Sequence, residues 1–193
     1  MKHRGWHLFS SEESVARWAE HAAGLIHGIL SAPENAEWFR GESTWFVGVD
    51  CLPNDTAGRL PDGPTLNGRF QNHVPEMPLH RAQLSVVFPG YPRPIAGESE
   101  GASRYRRSRD GAHVDGLLPV GPDRRRKMLE PHAYILGVPL TNSASNASPL
   151  VVWDGSHDIM RSAFERELKA HPHENWSDVD LTEVYQRARA EVF

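Results

Sequence analysis

The sequence has one cysteine and no long apolar run, and each of these absences excludes a class of protein. With Cys51 alone among 193 residues, no internal disulfide can form, which favours a reducing compartment. The apolar runs are far too short to cross a bilayer, and no apolar segment follows the basic N-terminal residues as a secretory signal requires. We therefore predict a cytoplasmic protein with no membrane partner.

The sequence also lacks a strong charge of either sign and the common short motifs of nucleotide and acyl chemistry. The formal net charge of −4 gives no overall attraction to nucleic acid, and no nucleic-acid-reading motif is present. There is no phosphate-cradling glycine motif, nucleophile elbow or paired-cysteine metal site. With 39% hydrophobic and 24% charged residues, the composition indicates one ordinary globular domain over residues 1–193.

Both ends of the chain carry helical patterns. We predict an N-terminal helix at about 11–30, with Ser10 and Glu13 spaced as a capping box at its start. The C-terminal segment from about 158 to 193 predicts further helices, the last of them from Asp180. The apolar positions at helical spacing near the N-terminus are Val15, Trp18, Ala22, Leu25, Ile26 and Ile29.

Between these ends, at about 44–153, short apolar or β-branched runs are separated by Gly, Pro, Asn and Asp, which is the pattern of strands and turns. Such runs, with no regular helix between them, favour an antiparallel sandwich or barrel over a parallel α/β sheet. Two long connections, at 52–78 and 90–111, are typical of lids or binding loops. The runs are TWFVGV, QLSVVF, HVDGLL, AYILGVPL and PLVVW.

The tripeptide His113-Val114-Asp115 is the sharpest chemical signal in the sequence. Residues two apart in a strand point to the same face, so one imidazole and one carboxylate can reach a common metal ion. A His and a carboxylate suit Fe(II), and they make up two-thirds of the facial triad of non-haem iron oxygenases. Such tripeptides are common as surface or hydrogen-bonding features, so the surrounding sequence decides the interpretation.

That surrounding sequence resembles the phytanoyl-CoA dioxygenase-like branch of the Fe(II)/2-oxoglutarate-dependent dioxygenases. The resemblance rests on GAHVDGLLP, AYILGVPLT and SPLVVWDGSH, the last similar to the family's gP-L-x-V-x-P-G-S-H stretch, and more loosely on STWFVGVDCLPND and HRAQLSVVFPGYP. It implies a mainly β fold with flanking helices, a double-stranded β-helix (cupin-like jelly roll) over about 44–153. It further implies an Fe(II) centre, 2-oxoglutarate as cosubstrate, and hydroxylation of a small organic substrate.

The third iron ligand is left open by the sequence. Spacing makes His157 the candidate, but in similar proteins the ligating His comes later, on a strand followed by an Arg that binds 2-oxoglutarate. The sequence ends at Phe193 with neither feature. Three explanations stay open: the chain is part of a longer protein and lacks the last strands, it is an inactive shortened relative, or His157 has taken over the role.

Candidate contacts for the cosubstrate are Gln83, in a run that looks like an early strand of the family, and Arg166 or Arg161, in a helical pattern. An Arg suits a carboxylate because its charged head has two prongs, but a solvated helix face is the better explanation of these two arginines. Two basic clusters flank the His-Asp pair and favour an anionic substrate, with a solvated loop as the alternative. They are Arg104, Arg106, Arg107 and Arg109, and Arg124, Arg125, Arg126 and Lys127.

The sequence thus predicts a 2-oxoglutarate-dependent iron dioxygenase acting on a small molecule. Two alternatives remain: a metal enzyme of the same fold that does not use 2-oxoglutarate, and a non-catalytic jelly-roll binding protein with a remnant metal site. The substrate and the oligomeric state are not predicted, because one fold hosts many functions.

Overall fold

The first helix, α1, runs from Glu13 to Ser31 and confirms the predicted N-terminal helix. A computed structural model describes residues 4–108 and 112–193, which form two compact units. Residues 9–108 and 136–149 make up the three-stranded unit, and residues 4–8, 112–135 and 150–193 make up the hairpin unit.

The predicted capping box at the start of α1 is wrong. The N-cap is Glu12 and makes no side-chain capping bond. The Arg69 guanidinium donates a hydrogen bond to the Ser10 hydroxyl at 2.9 Å, and the Arg69 backbone N–H donates to the Glu12 carboxylate at 2.9 Å. Both side chains therefore hold a distant loop instead of the helix start.

The sheet of the three-stranded unit is antiparallel and has the order β1 (Phe39–Arg40), β2 (Trp45–Leu52) and β3 (Ala82–Val87). It confirms the strands predicted at 44–49 and 83–88. Burial alternates along β2 as far as Gly48, and the register shifts between Gly48 and Leu52, where Asp50 has a positive φ of 53°. This irregularity ends the alternation that a flat strand would continue.

The core of the three-stranded unit lies between α1 and the connection at 52–78. The Trp18 indole donates a hydrogen bond to the Gly58 carbonyl at 2.8 Å, so the connection is fixed to the helix. Asn54 is buried, and its side chain bonds the His80 carbonyl and the Ala82 N–H. The buried apolar residues are Trp18, Ala22, Leu52, Leu60, Leu66 and Phe70.

The hairpin unit contains the antiparallel pair β4 (Leu117–Val120) and β5 (Arg125–Met128), followed by α3 (Ser156–Leu168) and α4 (Thr182–Val192). The two helices confirm the predicted helical C-terminal segment. Its core consists of Leu117, Phe164, Leu168, Val179, Leu181, Val184 and Tyr185.

Three strand predictions need correction. The run at 113–118 becomes a strand only from Leu117, and the runs at 133–140 and 149–153 contain no strand. The prolines at 139 and 149 lack the N–H that a strand ladder needs. Ile135 and Leu150 are 63% and 88% exposed, so these runs also lack the burial that stabilises strands.

The second long connection contains a helix that the sequence pattern did not predict, α2 (Glu100–Ser108). The double-stranded β-helix and the single domain over 1–193 stay predictions. Among the described residues, no helix is both long enough and apolar enough to span a membrane.

Candidate metal site

His113 and Asp115 lie in the hairpin unit, in the segment that leads into β4 and not in a strand. Between them, Val114 packs against the core of the unit, which turns its two neighbours outward. Gly116 follows with a φ of 78°, and the Leu117 N–H points back to the Val114 carbonyl at 3.4 Å. A turn, rather than strand alternation, therefore brings the two side chains together.

The side chains of His113 and Asp115 form a close and accessible pair. The His113 Nε2 lies 3.2 Å from the Asp115 Oδ1, and the two side chains are 71% and 51% exposed. A hydrogen bond from His113 holds the pKa of the Asp115 carboxyl below its ordinary value, against the opposing effect of partial burial. The charges of His113 and His132 act in the same direction. The carboxylate is thus kept in the ionised form that a metal ion needs.

His132 is a neighbour of this pair that sequence reasoning did not select. A Cβ atom on Gly116 would lie 3.2 Å from the His132 Cδ2, so the ring stands directly beside the turn. Its Nε2 is 4.0 Å from the Glu130 Oε2, and its side chain is 29% exposed. The pairing of β4 with β5 places His132 beside this turn. The sequence of β5, RRKM, is polar and did not predict a strand.

His157 lies at the start of α3, after a turn and not at the end of a strand. Its Nε2 is 3.3 Å from the Asp158 Oδ1, and its buried Nδ1 has no hydrogen-bond partner among the described residues. The ring fills the space beside Gly5, where a Cβ would come within 2.4 Å of Nδ1. Within residues 4–108 and 112–193, no three His, Cys, Asp or Glu side chains gather in an arrangement that could hold a metal ion.

The candidate cosubstrate contacts occupy different units. Gln83 is exposed on β3 of the three-stranded unit, and Arg166 is exposed in the last turn of α3 in the hairpin unit. Arg161 pairs with Asp158 at 3.2 Å, which fits the interpretation as a helix-surface residue. The roles of Gln83 and Arg166 stay predictions.

Most described arginines and lysines of the two basic clusters make ion pairs with nearby carboxylates. In α2, both prongs of Arg106 bond Glu98 at 2.9 and 3.0 Å, and these two side chains are only 21% and 12% exposed. Arg109 lies outside the described residues. The remaining pairs are Arg104 with Glu100, Arg125 with Asp180 and Lys127 with Asp178. Much of the positive charge predicted to face an anionic substrate therefore has local partners.

Comparison of the chain with protein-family models, curated proteins and solved structures finds no match. The resemblance to phytanoyl-CoA dioxygenase-like proteins therefore stays a prediction. The candidate for a functional site is the His113–Asp115 pair in the turn before β4.

Proposed function

We propose that this chain is an Fe(II)/2-oxoglutarate-dependent dioxygenase of the phytanoyl-CoA dioxygenase-like kind, with His113 and Asp115 as two of its iron ligands. The observation that carries the proposal is the 3.2 Å separation of the His113 Nε2 and the Asp115 Oδ1 on an exposed turn. We expect a cytoplasmic enzyme with a small organic substrate.

The donor set suits part of a mononuclear iron site. With metal–ligand bonds of about 2.1 Å, two donor atoms at right angles around a metal stand about 3.0 Å apart. The observed separation of 3.2 Å is close to that value.

The chain's own residues have distinct tasks in this proposal. His113 and Asp115 hold the metal, and the packing of Val114 against the core keeps the turn in place. Arg166, in the same unit, is the proposed contact of 2-oxoglutarate, because its charged fork matches a carboxylate. When bound, Fe(II) supports oxidative decarboxylation of 2-oxoglutarate by dioxygen to succinate and carbon dioxide, while one oxygen atom enters a C–H bond of the substrate.

The test is anaerobic addition of Fe(II) and then 2-oxoglutarate to the purified chain, followed by visible absorption spectroscopy. A metal-to-ligand charge-transfer band is expected with the wild type and with His27→Ala, which removes an exposed histidine from α1. The double variant His113→Ala, Asp115→Ala should give no band.

Each alternative function predicts a different result in the same experiment. A metal enzyme that does not use 2-oxoglutarate would bind Fe(II) through His113 and Asp115 but give no band. A non-catalytic binding protein would bind Fe(II) weakly or not at all. A band that survives in the double variant would overturn the assignment of the ligands.

A further inference from the structure

We propose that the open edge of β3 pairs with the β3 edge of a second copy of the chain, so that the two three-stranded sheets join into one. The proposal does not depend on the metal site, because β3 lies in the three-stranded unit. The backbone groups along this edge determine what kind of partner fits.

Hydrogen bonds at the two ends of β3 fix which of its backbone groups face β2. The Phe88 N–H donates to the Thr44 carbonyl at 2.9 Å. At the other end, the Ala82 N–H donates to the Asn54 Oδ1 at 2.7 Å, so the even-numbered residues bond toward β2 and the chain that follows it. Successive residues of a strand direct their N–H and C=O groups to opposite sides. The odd-numbered residues therefore direct these groups to the open edge.

The residues of the open edge are Gln83, Ser85 and Val87, and all three are exposed. Within residues 4–108 and 112–193, no backbone hydrogen bond beyond the pairing of β2 with β3 involves them. The edge therefore presents a row of donors and acceptors to solvent. An extended strand is the partner that supplies a matching row.

The other sheet edges of the described residues are protected from such pairing. Strand β1 has two residues, and the residues at 41–43 that follow it have positive φ. Strand β4 contains Pro119, which has no N–H. On β5, the Arg126 N–H donates to Thr182 and its carbonyl accepts from Leu181. Strand β3 has six residues with neither proline nor charge, which is the kind of edge that pairs with another chain.

A second copy fits this edge because the edge is complementary to itself. Antiparallel pairing about a two-fold axis at Ser85 sets Ser85 opposite the partner's Ser85, and Gln83 opposite the partner's Val87. Every edge-facing N–H then meets a C=O, because each of these residue pairs exchanges two hydrogen bonds. A two-fold axis brings identical segments together, and residues 82–92 contain no charged side chain, so no repulsion of like charges opposes the pairing. For the same reason, the edge has no charge that would select a strand of a different protein.

The experiment is sedimentation velocity of the full chain over a range of concentrations, in which the wild type should form a dimer. Ser85→Lys should raise the dissociation constant of the dimer at least about tenfold, because two like charges would stand opposite each other at the two-fold axis. Ser85→Ala is the matched control and should dimerise like the wild type. Both variants lose the 3.2 Å hydrogen bond from the Trp45 indole to the Ser85 hydroxyl, but only the Lys variant adds a charge.

Amide hydrogen exchange of the wild type covers the case in which Ser85→Lys does not fold. The Ser85 and Val87 amides should exchange more slowly as the protein concentration rises. The Leu84 and Val86 amides, which bond toward β2, should be protected at every concentration. Fast exchange at Ser85 and Val87 in the concentrated wild type would overturn the proposal, and so would a dimer that is equally stable in Ser85→Lys.

Discussion

Gly116 determines how closely the two segments of the candidate site approach each other. Its φ of 78° is in the left-handed region, and a Cβ there would lie 1.8 Å from the Glu130 carbonyl oxygen. Only a residue without a side chain fits, because that distance is far inside van der Waals contact. Gly116 thus connects a local backbone requirement to the geometry around Asp115.

Replacing Gly116 by Ala is expected to lower both stability and metal affinity. The left-handed conformation alone costs an Ala roughly 1–2 kcal/mol, and the collision with the Glu130 carbonyl adds to this loss. Gly121→Ala is the matched control, because Gly121 has a φ of 70° and open space around its Cβ position. Urea unfolding and Co(II) titration should show a larger effect at 116 on both quantities. Equal losses of stability and metal affinity in the two variants would contradict a collision between the side chain introduced at position 116 and the Glu130 carbonyl.

The Glu98–Arg106 ion pair should make the stability of the three-stranded unit depend on pH. The hydrogen bond from Arg106 is the main cause that lowers the pKa of Glu98 from 4.5 to about 2. Because the pKa of Glu98 is lowered on folding, the stabilisation by this ion pair is complete above the ordinary Glu pKa of 4.5. It is lost as the pH falls from 4.5 toward 2.

The difference in melting temperature between the wild type and Glu98→Gln should therefore shrink across that acid range. Glu100→Gln is the control, because the Glu100 carboxylate is 94% exposed in its pair with Arg104. It should change the melting temperature little at any pH. A wild-type advantage over Glu98→Gln that persists unchanged at the acid end would rule out this linkage.

Among single residues, the sequence identified His113 and Asp115 as neighbours but for the wrong reason. Strand alternation was expected to align them, whereas a turn with Gly116 at positive φ does so. His132 could not be selected, because its position depends on the long-range pairing of β4 with β5. Spacing along the chain identifies side chains that are close within one turn and misses a side chain that a hairpin brings beside them.

Helices were easier to predict than strands in this chain, and the physical reason is length. In α1, 19 residues repeat the apolar pattern over several turns. The runs at 133–140 and 149–153 are short, contain proline and do not form strands. Helix α2 has the sequence EGASRYRRS and little apolar periodicity, so its pattern gave no signal.

The junction of β5 with α4 depends on one hydroxyl group. The Thr182 Oγ1 accepts a hydrogen bond from the Arg126 N–H at 2.8 Å and donates one to Asp180 at 2.5 Å. The Leu181 N–H donates to the Arg126 carbonyl at 2.8 Å beside it. The start of α4 is therefore attached to the outer edge of the hairpin.

Thr182→Val keeps the shape of the side chain and removes this hydroxyl. We expect it to lower the free energy of unfolding by about 1–3 kcal/mol, because the partly buried Arg126 N–H loses its acceptor. Thr182→Ser restores the hydroxyl and should recover most of the loss in urea unfolding. If the Ser variant is as unstable as the Val variant, packing of the Thr methyl group is responsible instead.

For the molecule as a whole, composition predicted an ordinary globular chain but not its division into two compact units. The hairpin unit gathers residues 4–8 with segments beyond 112, and such long-range assembly has no local sequence signal. The two apolar clusters likewise draw on loop residues, such as Leu60 and Val179, that lie outside every helix and strand. Burial of these residues is decided by tertiary contacts and not by periodicity.

Leu181 and Leu150 of the hairpin unit have the same side chain but differ in burial, so they show how much burial contributes to stability. Leu181 is fully buried in the core that supports the turn before β4, whereas Leu150 is 88% exposed. Leu181→Ala should lower the free energy of unfolding by about 2–5 kcal/mol, since it removes buried methyl groups and leaves a cavity. Leu150→Ala should change it by less than about 0.5 kcal/mol in the same urea titration. A large loss at Leu150 would mean that this residue is covered in solution, and sedimentation of both variants would show whether a second copy of the chain covers it.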